Sequence, residues 1–248
     1  MFCQYWAIFI FNAIFRYILA HGTLLGSYFF HDAIPWDDDV DVEVDFRDYP
    51  RFKRIFQNES MWLKFNLHGF HDSSNEYDFK NLSTTFPDRE DHKFRYHKVK
   101  IYRTNTSKTF NLPWRWPFID ISYYKQNLTH VWNYDSLVQY TPISEFYPLH
   151  LRPYMGMWLP VPRKPTRLLR RNYRTNTFLC KSEGWNHKKE TLRMKKVSIP
   201  CRDIGSAYAI ISRQKYGNGT IEKVQLSGAH MYSVYIDECI EDATLRMQ

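Results

Sequence analysis

The chain has 248 residues, 44% of them apolar and 18% aromatic, which is enough to bury a sizeable core and excludes a disordered or low-complexity protein. Its 34 Lys and Arg against 26 Asp and Glu give a formal charge of +8, which favours phosphate-bearing or otherwise acidic ligands. The four cysteines, Cys3, Cys180, Cys201 and Cys239, include no CxxC pair, so no zinc ribbon or finger is signalled.

The apolar start from Met1 to Phe15 is followed by Arg16, and Gln4, Asn12 and Arg16 fall on one helical stripe. It is expected to be an amphipathic first helix rather than an anchor, with any targeting or membrane-associating segment upstream of this sequence. Tyr17-Ile18-Leu19-Ala20 reads as a short strand feeding His21-Gly22-Thr23-Leu24-Leu25-Gly26-Ser27, a glycine-punctuated turn that opens a short helix. After Ile34-Pro35-Trp36, acids at 37, 39, 41, 43 and 45 alternate with Val40, Val42 and Val44, the period of a half-buried strand with an anionic ridge. Residues 47–65 read as a helix with the stripe Tyr49, Phe52, Ile55 and Phe56.

The polar, aromatic stretch 66–113 offers a strand at Phe94 to Arg103, and Phe118-Ile119-Asp120-Ile121 is a strand with one acid in its middle. Pro142 to Pro165 is expected to be an extended connection, Thr166 to Arg174 a basic helix, and the tail beyond Ile204 helix and loop. Carboxylate-bearing strands beside helices imply an α+β fold, a mixed β-sheet flanked by helices. One domain over 1–248 is the simplest organisation, with a catalytic core at about 4–125 and a C-terminal half at about 126–248 completing it.

Five Asn-x-Ser/Thr sequons, at Asn58, Asn81, Asn105, Asn127 and Asn218, exceed the roughly one or two that composition would supply. The excess points to a secretory-pathway lumen, Golgi or endoplasmic reticulum. In that compartment Cys180 and Cys201 are a candidate disulfide pair, with connectivity left open by sequence.

Phosphoryl transfer needs divalent cations to hold a diphosphate and neutralise developing charge, and Mg²⁺ or Mn²⁺ takes hard carboxylate oxygens for this. Asp39-Val40-Asp41 supplies a pair on one side of a strand, and Asp120 is the candidate third ligand. Asp37 shares the face and is the alternative ligand or base. Gly26-Ser27, twelve residues before Asp39, is the expected phosphate-binding turn. An EF-hand fails, because Val42 stands where the loop needs Gly and Asp48 where it needs Glu. Arg167, Arg170 and Arg171 are candidates for a diphosphate or an anionic acceptor, with a solvated basic helix face as the competing reading. His187 is expected to be structural, with substrate orientation or metal binding as its other roles.

At these residues the chain resembles the LicD/fukutin/fukutin-related protein family of the nucleotidyltransferase-fold superfamily. The resemblance rests on His21-Gly-Thr-Leu-Leu-Gly-Ser-Tyr followed by Ile34-Pro-Trp-Asp-Asp-Asp-Val-Asp, with Asp120 supplying the later acid. Trp158-Leu-Pro-Val-Pro and Tyr173 to His187 resemble the family's downstream half more loosely. The resemblance implies a metal-dependent phosphotransferase moving a phospho-alditol or phosphocholine-like group from a CDP-linked donor to a glycan or glycoprotein acceptor, with no nucleic-acid partner. It also implies metal ligation by Asp39, Asp41 and Asp120 and phosphate contact at Gly26 and Ser27. Where the family commonly has a basic residue after the Gly motif, this chain has Tyr28-Phe29-Phe30-His31, and His31 is the expected substitute. Two other readings use the same acids: a GT-A glycosyltransferase, which gives no role to Gly26-Ser27 or Asp120, and a non-catalytic lumenal scaffold of the same fold.

Overall fold

The computed structural model describes residues 15–56, 69–72, 99–110, 112, 114–133, 140–173, 177–178, 180–182, 185–192, 197–237 and 246–247. The expected first helix, the end of the expected helix at 47–65, and the sequons Asn58 and Asn81 lie outside them.

The chain enters as β1 (Tyr17–Leu19), turns into α1 (His21–Phe30), returns as β2 (Val40–Asp45) and passes a 3₁₀ turn into α2 (Tyr49–Phe56). Then follow β3 (Gly69–Asp72), β4 (Val99–Lys108), the long β5 (Arg115–Gln126), β6 (His130–Asn133) and β7 (Tyr140–Pro142). These seven strands form one sheet in the order β1-β2-β5-β4-β3, with β6 on the far half of β5 and β7 beside it. β2 and β5 run parallel and the other pairs antiparallel, so the sheet is mixed and the fold is α+β.

Register explains the core. Val42 pairs with Ile121, and Ile121 with Val99, an apolar row in which each residue is at most 1% exposed. Each such side chain contributes about 1.5–3 kcal/mol by leaving water. α2 packs onto this layer through Tyr49 and Phe52, whose rings stand edge-on to Tyr123 at 5.2 and 6.1 Å.

The stretch expected to be an extended connection is instead a folded return. It comprises α3 (Ile143–Phe146) and the hairpin of β8 (His150–Tyr154) and β9 (Met157–Val161), turned at Met155 and Gly156 with φ of 50° and 77°. α4 (Pro165–Tyr173) fits the basic-helix expectation, packing Leu168 and Leu169 inward. Short pairs follow: β10 (Thr177–Phe178), β11 (Cys180–Ser182), β12 (Trp185–Asn186), β13 (Thr191–Leu192) and β14 (Val197–Ile199).

The tail expected to be helix and loop is a three-stranded antiparallel meander, β15 (Ile210–Tyr216), β16 (Gly219–Leu226) and β17 (Ala229–Ile236). Gly217-Asn218 and Ser227-Gly228 are the two-residue hairpin signals that mark it. β18 (Arg246–Met247) pairs with β10. Among the described residues, no helix is long and apolar enough to cross a membrane.

Candidate active site

Strand pairing brings the acids together. β2 lies parallel to β5 with Asp41 opposite Asp120, and β4 places Lys100 opposite Asp120 on the other side. Opposed residues share a face, so Asp41, Asp120 and Lys100 form a polar row across three strands. Asp39 precedes the first paired residue of β2, and its carboxylate joins the row from the connecting segment. The ligand atoms of Asp39, Asp41 and Asp120 all lie within 4.8 Å of one another, and those of Asp37, Asp38 and His187 form a second such group.

The expected anionic ridge of five acids is broken up. Glu43 and Asp45 are buried, at 3% and 1% exposure, and committed to protein partners. Asn133 Nδ2 donates to Glu43 Oε1 at 2.6 Å, and Arg47 Nε donates to Asp45 at 3.0 Å. Asp37 sits in the turn before the strand.

Burial and crowding set the electrostatics. Asp39 is pushed up to about 11, first by burial, then by the charges of Asp41, Asp37 and Asp120, with Lys100 opposing. Asp37 is raised for the same leading reason. Lys100 Nζ donates to Asp120 Oδ1 at 2.6 Å, stands 3.3 Å from Glu190 and lies 3.6 Å over the Phe118 ring. His187 bridges the two carboxylate groups, with Nδ1 2.5 Å from Asp38 and Nε2 3.1 Å from Asp39. Burial disfavours its charge, yet the hydrogen bond and charge of Asp38, with Asp37 and Asp41, hold it above its usual range. Two cationic side chains do not balance this many carboxylates in a desolvated place. The oxygen-only set Asp39, Asp41 and Asp120 therefore fits a hard divalent cation.

Two expected phosphate contacts fall elsewhere. α1 begins at His21, so Gly26 and Ser27 are mid-helix; a Cβ on Gly26 would meet the Asp32 carbonyl oxygen at 2.5 Å, and Ser27 Oγ is fully buried, donating to the Pro153 carbonyl. The glycine at the helix mouth is Gly22, whose added Cβ would stand 2.4 Å from Asp37 Oδ2 and 3.8 Å from Asp41 Oδ2. Its neighbour Thr23 accepts the Asp41 N–H at 2.8 Å, holding the helix start against the strand start.

His31 is likewise withdrawn from any phosphate, 3% exposed at the other end of α1 with Nε2 2.6 Å from Glu222. Arg171 pairs with Glu145 of α3, and Arg167 and Arg170 lie half-buried on the same helix. Cys180 is disulfide-bonded; the Cys201 side chain lies outside the described residues, which leaves the expected pairing open.

A comparison with protein-family models matches residues 14–164 to LicD/FKTN/FKRP, nucleotidyltransferase domain. The chain belongs to this family. No curated protein gives a match. The LicD family is one of phosphotransferase-type transferases acting in glycan modification. Its match spans β1 to the end of β9, taking in Gly22 and the four acids Asp37, Asp39, Asp41 and Asp120; His187 and the meander lie beyond it.

Sequence reasoning missed Gly22-Thr23, Lys100 and Glu190. The first had a signal, since a helix starting straight after Ala20 puts Gly22 rather than Gly26 at its mouth. Lys100 and Glu190 had none, because their roles come from cross-strand register and from a distant turn. His187, expected to be structural, is in contact with the carboxylates.

Proposed function

We propose that the chain is a metal-dependent phosphotransferase that moves a phospho-alditol or phosphocholine-like group from a CDP-linked donor to a glycan hydroxyl in the secretory-pathway lumen. The convergence of Asp41 of β2, Asp39 just before it and Asp120 of β5 beside the N-terminal end of α1 carries this reading. A D-x-D glycosyltransferase has no use for Asp120, and its place in the cluster favours phosphoryl transfer. The disulfide at Cys180 and the five sequons support an oxidising lumen.

Asp39, Asp41 and Asp120 would hold Mg²⁺ or Mn²⁺, which when bound would neutralise charge on the diphosphate of the donor. Ala20 gives the start of α1 no side-chain cap, and Gly22 in its first turn, beside Asp37 and Asp41, is suited to receive phosphate oxygens at its amide. Asp37, half-buried beside Gly22 with its carboxyl raised above the usual range by desolvation, is suited to accept the proton of the acceptor hydroxyl. His187 steadies Asp38 and Asp39 from the C-terminal half.

The test is CMP release from CDP-ribitol, CDP-choline and CDP-glycerol with Mg²⁺, with and without EDTA. Release from one donor, abolished by EDTA and by Asp41→Ala in a folded protein, is the expected result. Wild-type turnover in Asp41→Ala, or release only from UDP- or GDP-sugars, overturns the reading.

A further inference from the structure

We propose that Asn127 and Asn218 carry N-linked oligosaccharides, the two sequons that the fold presents on exposed hairpin turns. Asn127 closes the turn between β5 and β6. Its Oδ1 accepts from the Thr129 N–H at 2.9 Å, the Thr129 hydroxyl at 3.1 Å and the His130 N–H at 2.8 Å. Two of these donors are backbone N–H groups, which fixes the oxygen end of the amide. Nδ2, the atom that is glycosylated, is left without a partner among the described residues.

All of these contacts lie within four consecutive residues, Asn127 to His130, so the turn can form in a chain that has not yet folded. That is the state in which a lumenal oligosaccharide transferase meets its substrate. Leu128 and Thr129, the rest of the sequon, are exposed, Leu128 at 96%.

Asn218 stands exposed in the two-residue turn between β15 and β16. Its neighbours have structural reasons: Gly217 takes φ +56°, and a Cβ on Gly219 would meet the Ile236 carbonyl at 2.3 Å and the Tyr235 ring at 2.6 Å. The turn does not itself require Asn at 218. Beside it the rings of Tyr216 and Tyr235, 63% and 48% exposed, stand edge to face at 6.4 Å. Such rings in water offer a surface on which the C–H face of the first sugar can lie.

In the transfer, Nδ2 bonds to the anomeric carbon of a lipid-diphosphate-linked oligosaccharide, the bond from that carbon to the diphosphate oxygen breaks, and the amide gives up one proton. Neither glycan would obstruct the carboxylate cluster. Asn127 lies seven residues along the strand direction from Asp120, roughly 23 Å. The meander carrying Asn218 seats Glu222 at the end of α1 opposite Gly22, about 15 Å along the helix.

The inference rests on the lumenal part of the proposed function and not on the donor, and its readout involves no transfer assay. The full chain, expressed behind a cleavable secretory leader in animal cells, is digested with peptide N-glycosidase and its peptides are weighed. Conversion of Asn to Asp at both positions is expected, and each of Asn127→Asp and Asn218→Asp should remove one step from the glycoform ladder while keeping the turn oxygen. Leu128→Pro, which blocks transfer but retains Asn127, should remove the same step as Asn127→Asp. Peptides of the wild-type chain found only with unmodified Asn127 and Asn218 overturn the proposal, as does a ladder unchanged by either Asp variant.

Discussion

α1 carries a charged cluster at each end, buried at one and partly buried at the other, and the two are neutralised differently. At its C-terminal end Glu222, 1% exposed, accepts from Arg152 at 2.8 and 2.7 Å and from Arg213 at 2.7 Å, with His31 at 2.6 Å. At its N-terminal end Asp37, Asp39, Asp41 and Asp120 are opposed by Lys100 and His187. A carboxylate whose own chain supplies the cations is part of the scaffold. A group of carboxylates left short of positive charge is one that a cation from outside would balance.

The largest expected effects test that division directly. Glu222→Ala leaves Arg152, which is 0% exposed, without its carboxylate, and is expected to cost about 3–5 kcal/mol of stability, read by denaturant unfolding. Asp120→Ala is expected to cut transfer by about a thousandfold, with the unfolding midpoint preserved because Lys100 keeps Glu190 at 3.3 Å. Equal stability losses in the two variants would erase the distinction.

How far this was legible in the sequence differs between the two ends. The D-x-D spacing around Val40 and the lone acid inside Phe118 to Ile121 pointed to Asp39, Asp41 and Asp120, because strand periodicity is a local property. Local spacing also placed Gly26 and Ser27 at the wrong point of their helix, since Ala20 gives it no side-chain cap and the β1–β2 pairing, with the Thr23 to Asp41 bond, fixes where it begins. The C-terminal cluster was invisible: His31 and Glu222 are 191 residues apart, and only the meander joins them. That meander was itself misjudged by passing over its glycine turns. Arg213 and Glu222 lie outside the family match, so this chain holds α1 partly with residues the family pattern does not cover.

The two clusters also give opposite responses to pH in the metal-free protein. Asp39, pushed up to about 11, keeps in the folded state a proton that the unfolded chain releases near its ordinary value of 3.8, so stability falls as pH rises from about 4 towards 11. His187, held above 6.5, acts in the same direction, contributing below that value and losing its contribution as pH rises through its folded-state value. Glu222 is held well below its ordinary 4.5 by Arg152, Arg213 and His31 against the cost of burial, so its contribution is present above 4.5 and lost on acidification. Melting temperature measured against pH in EDTA should therefore decline on both limbs. Asp39→Asn should flatten the alkaline limb, Glu222→Gln the acid limb, and saturating Mg²⁺ should restore the alkaline limb by replacing the proton. A midpoint level from pH 5 to 9 in EDTA would contradict the unbalanced charge assigned to the N-terminal cluster.

The smallest effects separate the two glycines of α1. A methyl group on Gly26 meets backbone, the Asp32 carbonyl at 2.5 Å and the Ile34 nitrogen at 3.1 Å, and neither can turn aside. Gly26→Ala should therefore cost about 1–3 kcal/mol of stability with transfer per folded molecule little changed. A methyl group on Gly22 meets Asp37 Oδ2 at 2.4 Å, the end of a side chain that can rotate away. Folding should then survive Gly22→Ala, while displacing Asp37 from the helix mouth lowers transfer by roughly tenfold to a hundredfold. The reverse pattern, activity lost at Gly26 and stability lost at Gly22, would return the phosphate-facing role to Gly26 and Ser27 and move the reacting centre away from the start of the helix.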